Sequence, residues 1–131
     1  MTGGTVSDAA ARVVIAADEP MVARILEHKL RREGHAVRWV LDSATLWRLL
    51  DDDGADVLLV DAGLDRGGIA LMEERTRDGC LPRAGWFAIV EARDIASQQR
   101  AMHAGAVGLV VKPFRPSDVA RQVATLLSLR Q

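Results

Sequence analysis

Five short apolar runs recur along the chain at intervals of roughly 20 to 25 residues, and this spacing limits the fold more than any other feature. The runs are rich in valine, leucine and isoleucine, as are strands buried on both faces of a parallel sheet. Each gap between them is long enough for a helix, and such alternation forces parallel pairing through right-handed crossovers. We therefore predict a doubly wound (βα)5 sandwich whose strands lie at residues 13–16, 37–40, 57–60, 87–90 and 107–111.

The stretches between the predicted strands carry helix signals. Apolar residues recur at helical spacing in the first, second, third and fifth stretches, and Pro20 and Pro116 suit the first turn of a helix. The fourth stretch, about residues 94–104, has only Ile95 and Met102 as large apolar side chains, so it is predicted to be weakly anchored. In the first helix the stripe predicted to face the core is Met21, Val22, Ile25, Leu26 and Leu30.

Length and charge restrict the class of protein. Residues 12–131 suffice for one domain with one core, and residues 1–11 are predicted to be a disordered leader. Lys and Arg total 17 against 18 for Asp and Glu, so no basic surface for direct nucleic-acid binding is expected. Cys80 is the single cysteine, and no apolar stretch approaches the roughly 20 residues that cross a membrane. A reduced, cytoplasmic protein without a membrane partner is expected.

Acidic side chains follow two of the predicted strands. Asp61 ends the third strand, and Asp18 and Glu19 follow the first. A doubly wound sheet of five units usually takes the order 2-1-3-4-5, which places strands one and three side by side. Clustered carboxylates usually persist because a cation is bound, and one or two carboxylates, a carbonyl and waters suit Mg²⁺. A magnesium site at Asp18, Asp61 and the carbonyl of Gly63 is therefore predicted.

Lys112 ends the fifth strand, and its ammonium is expected to reach the same pocket. An acid, a lysine and a metal together are typical of phosphate chemistry, because an aspartate can accept a phosphoryl group while the cations neutralise the phosphoryl oxygens. Asp61 is thus the candidate phospho-acceptor and Lys112 its catalytic partner. Taken alone, an aspartate at a strand end can equally well cap the following turn.

The order and spacing of these motifs resemble the response-regulator receiver (CheY-like) family of two-component signalling. The motifs are Asp18-Glu19-Pro20 after strand one, Asp61 after strand three and Lys112-Pro113-Phe114 after strand five. The resemblance implies a flavodoxin-like fold with strand order 2-1-3-4-5 and a cis peptide before Pro113. It also implies Mg²⁺ at the three positions named above and phosphorylation of Asp61 by a histidine kinase or phosphotransfer protein. A downstream protein would bind the surface of helix four, strand five and helix five, and a homodimer is compatible with the pattern.

The chain departs from the family pattern at four positions, which makes it an atypical member. Ala17 stands where receivers usually carry a second acid that helps to hold the metal, and Asp65 stands where proline is common. Glu91 replaces the threonine or serine whose hydroxyl bonds the phosphoryl group. Leu109 replaces the aromatic side chain that rotates on activation. Glu91 and Leu109 are therefore the positions at which the switch is expected to differ.

Three interpretations of Glu91 remain open. Beside a phosphorylated Asp61, like charges about 4 Å apart oppose each other by about 4 kcal/mol at an effective dielectric constant near 20. Glu91 could alternatively pair with Lys112, or it could point to solvent without effect.

Two functional hypotheses follow from these residues. The first is a stand-alone receiver that is phosphorylated at Asp61 and acts by protein contact. The second is a pseudo-receiver that binds its partner without phosphoryl control. An enzyme with turnover is not expected, because no second acid or base is evident to hydrolyse the acyl phosphate rapidly.

Overall fold

The computed structural model describes residues 11–52, 54–65 and 67–130. Within these residues five parallel strands form one sheet in the order β2-β1-β3-β4-β5. The strands are β1 Arg12–Ala16, β2 Ala36–Val40, β3 Val57–Asp61, β4 Gly85–Glu91 and β5 Gly108–Lys112. The helices are α1 Pro20–Arg32, α2 Ser43–Asp52, α3 Gly68–Asp78, α4 Ile95–His103 and α5 Pro116–Leu129. The predicted doubly wound, flavodoxin-like (βα)5 fold and its strand order are confirmed.

Two apolar layers cover the sheet and hold the central strand β3 between them. Because successive strand residues point to opposite faces, Leu58 packs with α2 and α3 through Leu46 and Met72, whereas Leu59 packs with the layer of α1 and α5. Every residue of β3 is buried. The carboxyl end of β3 is therefore fixed by packing on both sides.

The core stripe predicted for α1 is wrong at two positions. Met21 is 74% exposed and Ile25 is 43% exposed, whereas Ala23, Leu26 and Leu30 are buried. The apolar residues of α1 lie on two adjacent faces of the helix, so their spacing alone does not decide which face packs. The small side chain of Ala23 lets the helix approach the sheet, whereas the side chains of Met21 and Ile25 are turned outward.

α4 is held mainly by polar contacts, in agreement with the weak anchoring predicted for it. Its buried residue is Ala101, and both Ile95 and Met102 are exposed. Asp94 caps the helix by accepting the N–H of Ser97 at 3.0 Å. Arg100 donates two hydrogen bonds, at 2.7 and 3.1 Å, to the carboxylate of Glu73 in α3.

Three further sequence predictions concern the leader, the start of the fifth strand and the lack of a membrane-spanning segment. The predicted leader lies outside the described residues except for Ala11, which is buried and accepts a hydrogen bond from the N–H of Ala36 at 2.9 Å. β5 begins at Gly108, one residue later than predicted. In the described parts of the chain, no helix combines the length and the apolar character needed to cross a membrane.

Candidate functional site

Asp61 is the last residue of β3, and only 4% of it is exposed. The pairing of β3 with β4 continues one step beyond it, because the N–H of Ala62 donates to the carbonyl of Ile89 at 2.9 Å. Oδ1 of Asp61 accepts the N–H of Gly63 at 2.8 Å, and Oδ2 accepts a hydrogen bond from Nζ of Lys112 at 2.9 Å. A buried carboxylate needs such partners, and here they also fix the direction of both oxygens.

The ammonium of Lys112 lies close to three carboxylates, each at or just beyond the carboxyl end of a different strand. Its Nζ lies 2.5 Å from Oε1 of Glu19 after β1, 2.9 Å from Oδ2 of Asp61 and 3.4 Å from Oε2 of Glu91 at the end of β4. Burial acts to lower the pKa of Lys112, but hydrogen bonds to Glu19 and Asp61 and their negative charges outweigh it. The pKa of Lys112 is therefore raised above its ordinary value, and the side chain remains a cation.

The structure shows Glu91 both exposed and paired. Its side chain is 66% exposed, yet its carboxylate contacts the ammonium of Lys112. A solvent-exposed ion pair contributes about 0–1 kcal/mol, so Glu91 can exchange this contact at little cost. The predicted approach of Lys112 to Asp61 is confirmed, and pairing between Glu91 and Lys112 is the interpretation that the geometry favours.

The predicted metal ligands border one cleft. Asp18, Asp61 and Gly63 line an opening of about 300 Å³ together with Lys112. Two carboxylates and a peptide carbonyl are hard oxygen donors, and Mg²⁺ commonly binds one or two carboxylates while keeping several waters, so the donor chemistry fits this ion. Among the residues that the structure describes, no three or more His, Cys, Asp or Glu side chains are grouped so that they could hold a metal.

The backbone of Ala17, which stands where receivers usually carry a second acid, is held by β2. Ala17 is fully buried, and its N–H donates to the carbonyl of Val40 at 3.1 Å. Its carbonyl accepts the indole N–H of Trp39 at 2.8 Å. The backbone that leads into Asp18 and Glu19 is thereby held by the neighbouring strand. This contribution of Trp39 was not predicted, and the one signal for it was a tryptophan near the end of a strand.

The loop after Asp61 requires glycine where α3 begins. A Cβ on Gly68 would lie 2.3 Å from the carbonyl oxygen of Asp61 and 2.7 Å from Cγ2 of Val60. Any side chain at this position would push α3 away from the end of β3. The close packing at Gly68 was not predicted, although the Gly67-Gly68 pair so soon after Asp61 was an available signal of it.

Leu109, one of the two predicted switch positions, lies on β5 and is partly buried against the layer of α2, α3 and α4. Its carbonyl accepts a hydrogen bond from Nε2 of Gln122 in α5 at 3.2 Å, and its side chain borders a shallow groove beside Ile95 and Met102. The role of Leu109 in switching stays a prediction. The peptide bond between Lys112 and Pro113 is cis, as the resemblance implied.

A doubly wound sheet with a buried aspartate, a lysine and further acids at the carboxyl ends of its strands defines an α/β domain of the CheY-like class. Residues 13–124 match the response regulator receiver domain family. The chain therefore belongs to the receiver domains of two-component response regulators.

Sequence relatives agree with this assignment. The chain is 28% identical over 117 residues to the response regulator protein PmrA of Pseudomonas aeruginosa, a match that covers 88% of this chain and 52% of PmrA. It is 26% identical over 117 residues to the probable transcriptional regulator ycf27 of Guillardia theta, with 88% and 45% covered. The chain thus spans about half the length of these curated relatives.

Solved structures show the same fold. The Francisella response regulator 1452 receiver domain superposes with a TM-score of 0.84 at 16% identity, covering 92% of this chain and 99% of that one. The chemotaxis response regulator CheY4 of Vibrio cholerae superposes with a TM-score of 0.80 at 18% identity, covering 89% and 98%. At these identities the likeness concerns the fold alone.

Proposed function

We propose that this receiver domain accepts a phosphoryl group at Asp61 from the phosphohistidine of a histidine kinase or a phosphotransfer protein. The observation that carries the proposal is the Asp61 carboxylate, buried at the end of β3 and oriented by Lys112 and the N–H of Gly63. In the transfer a carboxylate oxygen bonds to phosphorus while the bond from phosphorus to the imidazole nitrogen breaks. The imidazole leaves and takes a proton from solvent.

The other residues of the cleft have roles in this reaction that follow from their charge. Lys112 balances negative charge on the phosphoryl oxygens, because it is a cation already within hydrogen-bond distance of Asp61. Asp18, Asp61 and the carbonyl of Gly63 would hold Mg²⁺, which when bound supplies further neutralisation of that charge. Asp18 is exposed at the mouth of the cleft, where an ion can reach it from solvent.

The output of the domain, in this proposal, is protein contact rather than turnover. Ile95 and Met102 of α4 and Val111 of β5 expose apolar surface near Leu109, and this supports a partner site on α4, β5 and α5. We place the domain in the cytoplasm, where the ATP that charges histidine kinases is found. The proposal concerns the receiver domain alone, since the chain spans about half the length of its curated relatives.

A pseudo-receiver is the second candidate function, and one observation favours it. Lys112 already bonds Glu19 and contacts Glu91, so its charge is balanced within the domain before any phosphoryl group arrives. In that case a partner would recognise this internally paired state, and binding would not depend on modification of Asp61.

Labelling with a small phosphodonor tests the first candidate. Wild type, incubated with acetyl phosphate and Mg²⁺, is expected to gain the mass of one phosphoryl group, and Asp61→Asn is expected to gain none. Asp56→Asn is the matched control, because Asp56 lies next to the opposite end of β3 and accepts the N–H of Arg12 at 2.8 Å. It should label like wild type. Unlabelled wild type whose partner binding survives Asp61→Asn would favour the pseudo-receiver instead.

A further inference from the structure

Asp65 joins the loop after Asp61 to the first residue of α2. Its Oδ1 accepts the backbone N–H of Ser43 at 2.8 Å and lies 3.0 Å from the Ser43 hydroxyl. The same hydroxyl lies 2.6 Å from the carbonyl oxygen of Asp65 and, with one proton, is shared between the two acceptors. Ser43 is buried and Asp65 is exposed, so the contact is partly shielded from water.

Capping of α2 does not account for this arrangement. The helix has a local cap of its own, since Oδ1 of Asp42 accepts the N–H of Thr45 at 2.8 Å. Asp65 satisfies a further N–H of the first turn, but it does so from a loop 22 residues away. The contact therefore constrains the loop as much as it caps the helix.

The constrained loop is the one that shapes the Asp61 site. The N–H of Gly63 donates to the Asp61 carboxylate, and the N–H of Leu64 donates to the Asp61 carbonyl at 3.0 Å. Leu64 anchors the inner side of the loop in the core. Asp65 is the next residue, and its bonds to Ser43 hold the outer side.

We propose that the Asp65–Ser43 pair is a clamp that positions the Gly63 amide and the loop around Asp61 for phosphoryl transfer. Asp65 acts through the loop and is a positioning residue, since it contacts Ser43 rather than the reacting atoms. Proline, which is common at this position in the family, restricts the backbone through its ring, whereas here side-chain bonds to α2 restrict it. The part of this inference that concerns transfer rests on the proposed function.

Asp65→Ala and Asp42→Ala form a matched pair of variants that separates the clamp from simple capping. Each removes one acidic cap from the start of α2, but only Asp65→Ala releases the loop. In Asp65→Ala the Gly63 amide should exchange with solvent about tenfold faster, and acetyl phosphate labelling should slow about tenfold, as expected for loss of one or two partly buried hydrogen bonds. In Asp42→Ala both should stay within about twofold of wild type.

Two further variants keep the test decisive if Asp65→Ala folds poorly. Ser43→Ala should reproduce the faster exchange of Gly63, and Asp65→Asn, which keeps the Oδ1 acceptor, should restore the behaviour of wild type. Unchanged Gly63 exchange in both Asp65→Ala and Ser43→Ala would overturn the clamp, as would an equal increase in Asp42→Ala. Wild type that does not label would overturn the proposed function, and the exchange measurement would then decide on the clamp alone.

Discussion

Glu91 and Lys112 are direct register partners at the ends of β4 and β5, and the carboxylate of one lies 3.4 Å from the ammonium of the other. The pair places a negative charge where receivers usually carry a hydroxyl. A phosphoryl group on Asp61 would therefore have to share Lys112 with Glu91.

Replacing Glu91 is expected to speed phosphorylation of Asp61. Glu91→Gln removes the competing charge, and Glu91→Thr also introduces a hydroxyl donor, so the rate should rise from wild type to the Gln variant and again to the Thr variant. Because Glu91 is largely exposed, the charge effect should be about 1 kcal/mol, or about fivefold in rate. Time courses with acetyl phosphate, followed by intact mass, give these rates. Equal rates in all three proteins would show that Glu91 does not oppose the reaction.

Removing the cation at Lys112 is expected to destabilise the fold. Lys112→Met leaves the Asp61 carboxylate buried and loses its charged partner, which should lower the free energy of unfolding by about 3 kcal/mol. The double variant Asp61→Asn and Lys112→Met should recover most of that loss, because the uncompensated charge is gone. Urea titrations of wild type, Asp61→Asn, Lys112→Met and the double variant measure this coupling. A double variant no more stable than Lys112→Met would contradict it.

Magnesium is expected to bind weakly, because Ala17 supplies no carboxylate beside Asp18 and Asp61. Tryptophan fluorescence can follow the titration, since the indole of Trp39 bonds the carbonyl of Ala17 next to the site. Asp18→Ala should weaken binding further, and an unchanged affinity would remove the assigned site. Ala17→Asp should tighten binding and also lower thermal stability in the absence of metal, because that position is fully buried.

α4 is expected to lose protection in acid before α5 does. Hydrogen bonds from Arg100 lower the pKa of Glu73, and hydrogen bonds from Ser97 lower the pKa of Asp94. A carboxylate whose pKa is lowered by folding stabilises the fold above its unfolded pKa, and that stability is lost as the pH falls through the folded value. Amide hydrogen exchange measured as a function of pH should therefore show the ratio of α4 protection to α5 protection decreasing at pH values below about 4.

Amide hydrogen exchange at neutral pH should be faster in α4 than in α5, because α4 buries so little apolar surface. Added salt should widen the difference by screening the exposed pair of Glu73 and Arg100. Glu73→Gln should remove most of the salt effect. Protection of α4 equal to that of α5 under all these conditions would contradict the polar anchoring of this helix.

The meeting of Asp61 and Lys112 could be predicted because parallel strands place their carboxyl ends at one edge of the sheet. The bonds from Trp39 to Ala17 and from Ser43 to Asp65 could not, since each joins segments 22 residues apart through the direction of a side chain. Hydrophobic periodicity indicates which face of a helix or strand is apolar, but not which partner a hydrogen-bonding group will meet. The errors at Met21 and Ile25 arose in a related way, because apolar residues on two adjacent faces of α1 fit the same helical spacing.

The hydrogen bond between Glu19 and Lys112 joins residues that lie 93 positions apart. A contact of such long separation carries the loop-closure entropy of the chain between its residues, and this cost slows its formation. During synthesis, a chain that has not yet added β5 therefore carries Asp61 without its ammonium partner. Under the proposed function, competence to accept a phosphoryl group would then be a property of the folded domain, and an incomplete chain on the ribosome would not compete for the phosphodonor.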